Sequence, residues 1–315
     1  MASAREIKRR IKSIKNIMQI TMALEAVSAS RVRKATAQAL TSRAYANLAL
    51  EMLAHIADAN RSGPKLHPLL TKREGTGHIT VMLITGDRGL AGAYNSNVIR
   101  LARNFVRKTG KTARWVAVGR KGRDTLIRLK ETVIAEFTGL PSIWTFAAVR
   151  PIARVLMDDY LNGFNDATYI AYTDFINSLT QQPRVQQLLP LMDVGAEANK
   201  SNGHKPTIVD YIYEPSPEAI LDEIVPKFTE TVVFQALLES TASEHSARMI
   251  AMRNASDNAK ALAETYQLSY NKARQTAITS EILDIVGGVE ALRKPREVTS
   301  AANESPETVD SQNQA

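Results

Sequence analysis

The sequence contains no cysteine among its 315 residues. This absence excludes disulfide bonds, thiolate nucleophiles and cysteine-ligated metals, and it fits a reducing compartment. No stretch approaches the roughly 18 uncharged apolar residues of a membrane-spanning helix, and the basic N-terminal segment lacks the apolar core of a secretory signal. Neither a membrane span nor export is therefore expected. The five histidines are scattered without a partner at helical spacing, so neither a metal site nor a cofactor is expected.

Glycine and proline are missing from two long stretches, residues 1–62 and 227–286, although the whole chain has 15 glycines and 12 prolines. Because glycine weakens a helix and proline breaks it, each stretch is predicted to form one long helix. At 1.5 Å per residue each helix would be roughly 90 Å long, whereas an ordinary domain is about 30 to 40 Å wide. The two helices must therefore project from any globular domain as a rod or a hairpin.

Apolar residues on the first helix recur at spacings of three and four, which predicts a coiled-coil seam. The positions are Ile7, Ile11, Ile14, Ile17, Ile20, Leu24 and Val27. Farther along, the seam turns to alanine, including Ala35 and Ala39, so that a partner helix can approach closely. The simplest assembly is a long antiparallel coiled coil of the N- and C-terminal helices.

The first helix also holds most of the positive charge. The net charge of the chain is +8, and residues 1–43 alone carry ten lysines or arginines against two glutamates. The cations nearest the start are Lys8, Arg9, Arg10, Lys12 and Lys15. Such a helix suits nucleic acid, an anionic membrane or an acidic protein surface, and a solvated basic face is equally consistent with the pattern.

The middle of the chain, residues 78–213, changes from helical to strand periodicity. Short segments rich in Val, Ile, Thr and Tyr lie at 78–85, 113–119, 132–137, 167–175 and 207–213. Helical segments at 95–108, 123–130 and 142–163 separate the earlier ones. Alternating strands and helices predict a Rossmann-like α/β domain with a mostly parallel sheet.

The second helical run is expected to start near Pro217 and to end at Gly287 and Gly288. Its polar stretch, 239–257, is a poor candidate for a core, and the loop 191–206 is expected to be exposed. The predicted parts are an N-terminal coiled-coil helix (1–62), a central α/β domain (75–214), a C-terminal coiled-coil helix (215–292) and a disordered acidic tail (293–315).

One glycine-rich loop, 85–97, follows a predicted strand and precedes a predicted helix, which is where nucleotide phosphates bind. It lacks the Lys followed by Ser or Thr of a phosphate-binding loop, and its glycines do not match G-x-G-x-x-G. A structural turn or a protein contact is favoured. The adjacent carboxylates Asp158 and Asp159 point about 100° apart on a helix, so they are interpreted as surface charge. No catalytic residue is predicted.

A denser polar cluster lies near the end of the second helix. It comprises Asn271, Lys272, Arg274, Gln275, Thr279 and Glu281, beside an apolar stripe. Long hydrogen-bonding side chains at a helix end suit contact with a polar protein surface, and a solvated helix face fits the spacing equally well.

Three segments in order along the chain resemble the gamma subunits of bacterial-type F-type ATP synthases. They are "IKRRIKSIKNIMQITMALEAVSASRVRKA" near the start, "TGDRGLAGAYNSN" in the middle, and "ALLESTASEHSARMIAMRNASDNAKAL" followed by "YNKARQTAITSEILDIVGG" near the end. The resemblance covers both predicted helices and the middle of the chain.

The resemblance implies a central-stalk rotor, present in one copy per complex, that couples proton flow to ATP synthesis by transmitting torque. Its partners would be the ring of alpha and beta subunits, the epsilon subunit and the membrane c-subunit ring, with the catalytic sites on beta. It also implies a set of contacts with the alpha and beta ring: Leu24, Arg31, Arg248, Arg274, Gln275, Thr279 and Glu281. Because no transit peptide is visible, the expected location is the cytoplasmic face of a bacterial plasma membrane, held by partner subunits and without a lipid anchor.

Two other readings compete with this one. A nucleic-acid-binding coiled coil would carry base-stacking aromatics among its charges, but residues 1–43 contain no Phe, Tyr or Trp. A nucleotide-dependent enzyme built on the sheet would need a complete phosphate-binding motif.

Overall fold

The computed structural model describes residues 4–59, 67–73, 75–141, 143–191 and 217–301. The elements are α1 (Ala4–Ala59), β1 (His78–Ile84), α2 (Tyr94–Thr109), β2 (Thr112–Val118), α3 (Arg120–Arg128), β3 (Thr132–Phe137), α4 (Phe146–Leu161), β4 (Ala167–Phe175), β5 (Gln181–Leu189) and α5 (Pro217–Ala301). The chain divides into two compact units, Thr21–Ala255 and a smaller one made of Met1–Ile20 with Ser256–Ala315.

The sheet belongs to the larger unit and has the strand order β3-β2-β1-β4-β5. The first four strands pair in parallel, and β5 pairs antiparallel with β4 at the edge. The predicted mostly parallel sheet is therefore confirmed. The strand predicted at 207–213 and most of the loop 191–206 lie outside the described residues, and β5 is a strand that the sequence reasoning missed.

The central strands are buried on both faces, as expected for parallel strands covered by helices. On one face, β1 and β2 pack against α2 through side chains such as Val81, Trp115 and Val98. On the other, alternate residues such as Met82 and Val116 face α4 and the first part of α5. The larger core therefore joins the sheet to the long C-terminal helix.

Within the larger unit, α1 and α5 run antiparallel. Arg253 Nε donates to Glu25 Oε1 at 3.0 Å, and the side-chain amide of Gln235 donates to the Ala39 carbonyl at 3.3 Å. As residue numbers rise along α1, their partners on α5 fall. In the smaller unit, Ile7 and Ile11 are buried, and Arg10 hydrogen-bonds Tyr266.

The predicted phase of the α1 seam holds through Ile14, which is half-buried, and is wrong beyond it. Ile17, Ile20 and Val27 are 52%, 59% and 50% exposed, respectively. Over residues 4–43 of α1, the buried positions are Ile7, Ile11, Thr21, Ser28, Val32, Ala35 and Ala39. Their spacing follows a coiled-coil period of 3.5 residues, which admits small polar side chains at the seam and turns several apolar ones outward.

Two further expectations are corrected. α5 continues through Gly287 and Gly288 to Ala301, so the glycines do not end the helix. The segment predicted as a disordered tail, 293–315, is therefore helical up to Ala301, and the rest of it lies outside the described residues. Asp159 is buried, not a surface charge. It accepts hydrogen bonds from Thr80, Arg114 and Asn165, which compensate its burial, whereas Asp158 is exposed.

Candidate functional site

The carboxyl edge of the sheet is where a parallel α/β domain usually binds ligands, at the point where strand order reverses. That point here is β1, which has β2 on one side and β4 on the other. The helix α5 passes over this edge. The Tyr94 hydroxyl lies 2.9 Å from Ser240 Oγ and donates to the Ser240 carbonyl at 3.1 Å, while Ser243 Oγ donates to the Thr173 carbonyl at 3.1 Å.

The glycine-rich loop lies directly against α5. A Cβ atom at Gly86 would lie 2.7 Å from the carboxylate of Glu244, so a larger residue here would require the end of the Glu244 side chain to shift. Glu244 accepts from Arg248 at 2.5 Å, and the Arg248 guanidinium also donates to the Gly89 carbonyl at 3.4 Å. The loop thus packs against α5 of the same chain, which fits the structural turn or protein contact that the sequence favoured.

A third set of contacts links α1 to the same place. The Arg43 guanidinium donates to Glu239 Oε1 at 2.8 Å and to the Phe175 carbonyl at 3.2 Å, and it lies 3.5 Å from Asp174 Oδ1. One side chain therefore ties both long helices to the end of β4. We call the whole set the joint: Arg43, Tyr94, Thr173, Asp174, Glu239, Ser240, Ser243, Glu244 and Arg248.

The joint is buried enough to shift the pKa values of its ionisable groups. Burial raises the pKa of Glu239, although the hydrogen bond from Gln235 and the charge of Arg43 oppose the shift. Burial, with the charges of Arg248 and Arg31, lowers the pKa of neighbouring His245 to about 4. Burial also raises the pKa of Tyr94. At neutral pH His245 is therefore uncharged beside Arg248.

Sequence reasoning missed most of the joint because its helix surface is polar. Ser240, Ser243 and Ser246 are almost completely buried, in the stretch interpreted as a poor core. Small side chains at spacings of three and four let a helix lie close to a sheet edge, and hydroxyls satisfy exposed strand carbonyls. The spacing of small residues was the available signal.

The residues that the family resemblance implied as ring contacts fall in both units and differ in exposure. In the larger unit, Leu24 is half-buried, Arg31 is exposed, and Arg248 is part of the joint with a side chain only 12% exposed. In the smaller unit, all the implied contacts and the basic residues of α1 are exposed: Arg274, Gln275, Thr279 and Glu281, with Lys8, Arg9, Arg10, Lys12 and Lys15. Their contacts with other subunits stay predictions.

Two features of the described residues bear on other functions. No group of three or more His, Cys, Asp or Glu side chains in them is arranged to hold a metal ion. No helix in the described part of the chain is long and apolar enough to cross a membrane.

Known proteins match nearly the whole chain. The sequence model of a family described as ATP synthase matches residues 3–292. The chain is 43% identical over 288 residues to the ATP synthase gamma chain of Symbiobacterium thermophilum, covering 91% of this chain and 97% of that one. The chain belongs to the ATP synthase gamma chain family. This confirms the prediction from the sequence that the chain is a gamma subunit, the rotor subunit of the ATP synthase central stalk.

Solved structures agree with the fold of this gamma chain. A chain of the Euglena gracilis mitochondrial ATP synthase, in a structure of OSCP, F1 and the c ring, is similar with a TM-score of 0.62 and 17% identity, covering 98% of this chain and 99% of that one. A chain from the central stalk and c ring of the Tetrahymena thermophila mitochondrial enzyme has a TM-score of 0.57 and 24% identity, covering 75% and 99%.

Proposed function

We propose that this gamma chain transmits torque between a membrane c-subunit ring and a catalytic ring of alpha and beta subunits. It performs no catalysis itself, because the catalytic sites belong to beta. The α/β domain (75–214) contacts the epsilon subunit and the c ring, and the helices 1–62 and 215–292 enter the catalytic ring. One copy works per complex, at the cytoplasmic face of a bacterial plasma membrane, held by its partners. No nucleic acid is involved.

The observation that carries this proposal is the apolar end of α5. Ile278, Ile282, Ile285 and Val289 are between 48% and 62% exposed. A helix that exposes a stripe of this size is expected to bury it against another protein. The ring of alpha and beta subunits would cover this apolar stripe.

The charged residues of the smaller unit suit the same partner. Lys8, Arg9, Arg10, Lys12 and Lys15 are exposed and would face acidic loops of the beta subunits. Arg274, Gln275, Thr279 and Glu281 would contact the ring from α5, and Leu24 and Arg31 from α1. Complementary charge guides such contacts without fixing them tightly, as rotation requires.

The joint supplies the mechanical link. Arg248, which resemblance implies as a ring contact, holds α5 to the glycine-rich loop, and Arg43 holds α1 to β4. Torque applied to the sheet thus reaches both helices through buried polar contacts. As the asymmetric shaft turns, each beta subunit meets a different face, and the differential contact energy biases it between open and closed nucleotide sites.

The test is assembly with purified alpha and beta subunits. Replacing Ile282 and Ile285 together by Asp removes two half-exposed apolar contacts and introduces charges, so the dissociation constant should rise by at least about tenfold. The control replaces Ile143 and Ile176, which are 61% and 53% exposed on the α/β domain, by Asp.

Neither double variant should change the free energy of unfolding of the isolated chain, because all four isoleucine side chains are largely exposed. We expect the control to bind the ring like the original chain. Equal binding by the Ile282 and Ile285 variant would refute insertion of this end into the ring.

A further inference from the structure

A groove between α2 and α3 shares no residue with the joint or with the proposed ring contacts. Its volume is about 430 Å³. Half-buried Ile99 and Val106, with Leu129 at 40% exposure, give it an apolar lining. The indole of fully buried Trp115 lies beneath it and donates to Glu131 at 3.2 Å.

Three arginines of α2 line this groove: Arg100, Arg103 and Arg107, all exposed. The whole of α2 has four basic residues and no Asp or Glu. Among the described residues that line the groove, Glu131 carries the one carboxylate, and its Oε1 lies 3.7 Å from Arg103 Nε. The groove is therefore apolar along its floor and strongly positive along one wall.

Two of the arginines are held by neutral partners in a repeated arrangement. Arg100 donates to Asn97 Oδ1 at 2.9 Å, and Arg107 donates to Asn104 Oδ1 at 3.0 Å. An amide oxygen orients a guanidinium without cancelling its charge, and the remaining N–H groups stay available for a bidentate carboxylate. These cations are oriented in advance, and no carboxylate in the described part of the chain forms an ion pair with either.

We propose that this groove is a docking surface for an acidic, amphipathic segment of a partner protein. Arg100 and Arg107 are seven residues apart on the helix, or about 10 Å. Their charges are spread along the groove, which suits several carboxylates of one segment and not a single phosphate. The apolar floor suits alternating apolar side chains, whereas a lipid surface would call for a broad basic face.

The test titrates the full-length chain into a fluorescein-labelled helical peptide with Glu at positions i, i+3 and i+7 and Leu beside them. Fluorescence anisotropy reports binding. The same peptide with Gln in place of Glu should bind at least about tenfold more weakly, because the charge-assisted pairs are lost. Added salt should weaken binding of the Glu peptide.

The decisive variant is Arg100→Gln with Arg107→Gln, which should lower the affinity for the Glu peptide by about tenfold or more. Its matched control is Arg150→Gln with Arg154→Gln, two exposed arginines on α4, and should bind as the original chain does. Replacing Asn97 and Asn104 by Ala keeps both positive charges but removes the hydrogen bonds that orient the two guanidinium groups, so the affinity for the Glu peptide should fall by a few-fold. Circular dichroism checks that each variant is folded.

Several results would overturn the proposal. They are equal binding of the Glu and Gln peptides, or binding that is unchanged in the Arg100 and Arg107 variant. Displacement of the Glu peptide by inorganic phosphate at equal ionic strength would indicate an anion site instead. Attachment to phosphatidylglycerol vesicles that depends on these arginines, without peptide binding, would indicate a lipid surface.

Discussion

Replacing Arg43 by Ala should destabilise the larger unit far more than an ordinary ion-pair mutation. Arg43 is 38% exposed, but its partner Glu239 is only 7% exposed and would be left as a buried carboxylate without its cation. Removing one partner of a fully buried pair costs about 3–5 kcal/mol. Since Arg43 is partly exposed, we expect a loss of about 2 kcal/mol in the free energy of unfolding.

The loss should also depend on pH. Burial raises the pKa of Glu239 in the folded chain, and removing the nearby cation raises it further. The folded variant then holds this proton more tightly than the unfolded chain does, so protonation stabilises it as pH falls. The cost of Arg43→Ala should therefore be largest near pH 8 and should shrink as the pH falls toward the pKa of Glu239.

The assay is urea unfolding followed by tryptophan fluorescence, because the indole of Trp144 donates to Thr241 on α5 at 2.9 Å. Arg253→Ala is the control, since its pair with Glu25 is 70% and 24% exposed and should contribute less than about 1 kcal/mol. In a double-mutant cycle, Glu239→Gln should remove most of the cost of Arg43→Ala. Equal losses for the two arginine variants, or a loss independent of pH, would refute the reasoning.

Three further predictions concern other parts of the molecule. Gly119→Ala should lower the free energy of unfolding by about 3 kcal/mol or more, because φ is +96° and a Cβ atom would overlap the Thr85 carbonyl. Gly110 has φ +66° but lies in open space, so Gly110→Ala should lower it by about 1 kcal/mol in the same urea assay. Burial lowers the pKa of His245 to about 4, so the free energy of unfolding of the original chain should fall by at most about 3 kcal/mol as pH drops from about 6.5 to 4. His245→Gln should remove this part of the pH dependence. A pH dependence unchanged from that of the original chain would contradict the burial argument. Lys12→Ala should reduce coupled ATP hydrolysis of the assembled complex by less than about twofold, because one exposed charge pair contributes little; complete loss of hydrolysis would show a fixed contact in place of a sliding one.

The extent to which the sequence predicted the fold follows from how strong each pattern is. The two long helices and the parallel strands were predictable because glycine, proline and β-branched residues mark them clearly. β5 was not, because "QQPRVQQLL" is mostly polar; it becomes a strand by pairing with β4 at an edge. The seam of α1 was misphased because isoleucines occur on two faces, and only packing against α5 decides which face is buried.

The site was predictable only where it resembled a known family. The predicted ring contacts in the smaller unit came from motifs, and nothing in their spacing distinguished them from a solvated face. Arg248 was singled out by its motif. Its partner Glu244 is one helical turn away, but its contact with the Gly89 carbonyl depends on a loop 159 residues away in sequence. Long-range polar contacts of this kind leave no local pattern to read.

The central claim is that this chain is the turning shaft of its complex. The direct test reconstitutes it with alpha and beta subunits, attaches a bead to the α/β domain and follows the bead while ATP is hydrolysed. Stepwise rotation in one direction is the predicted result. A bead that stays still while the assembled ring hydrolyses ATP would contradict the account.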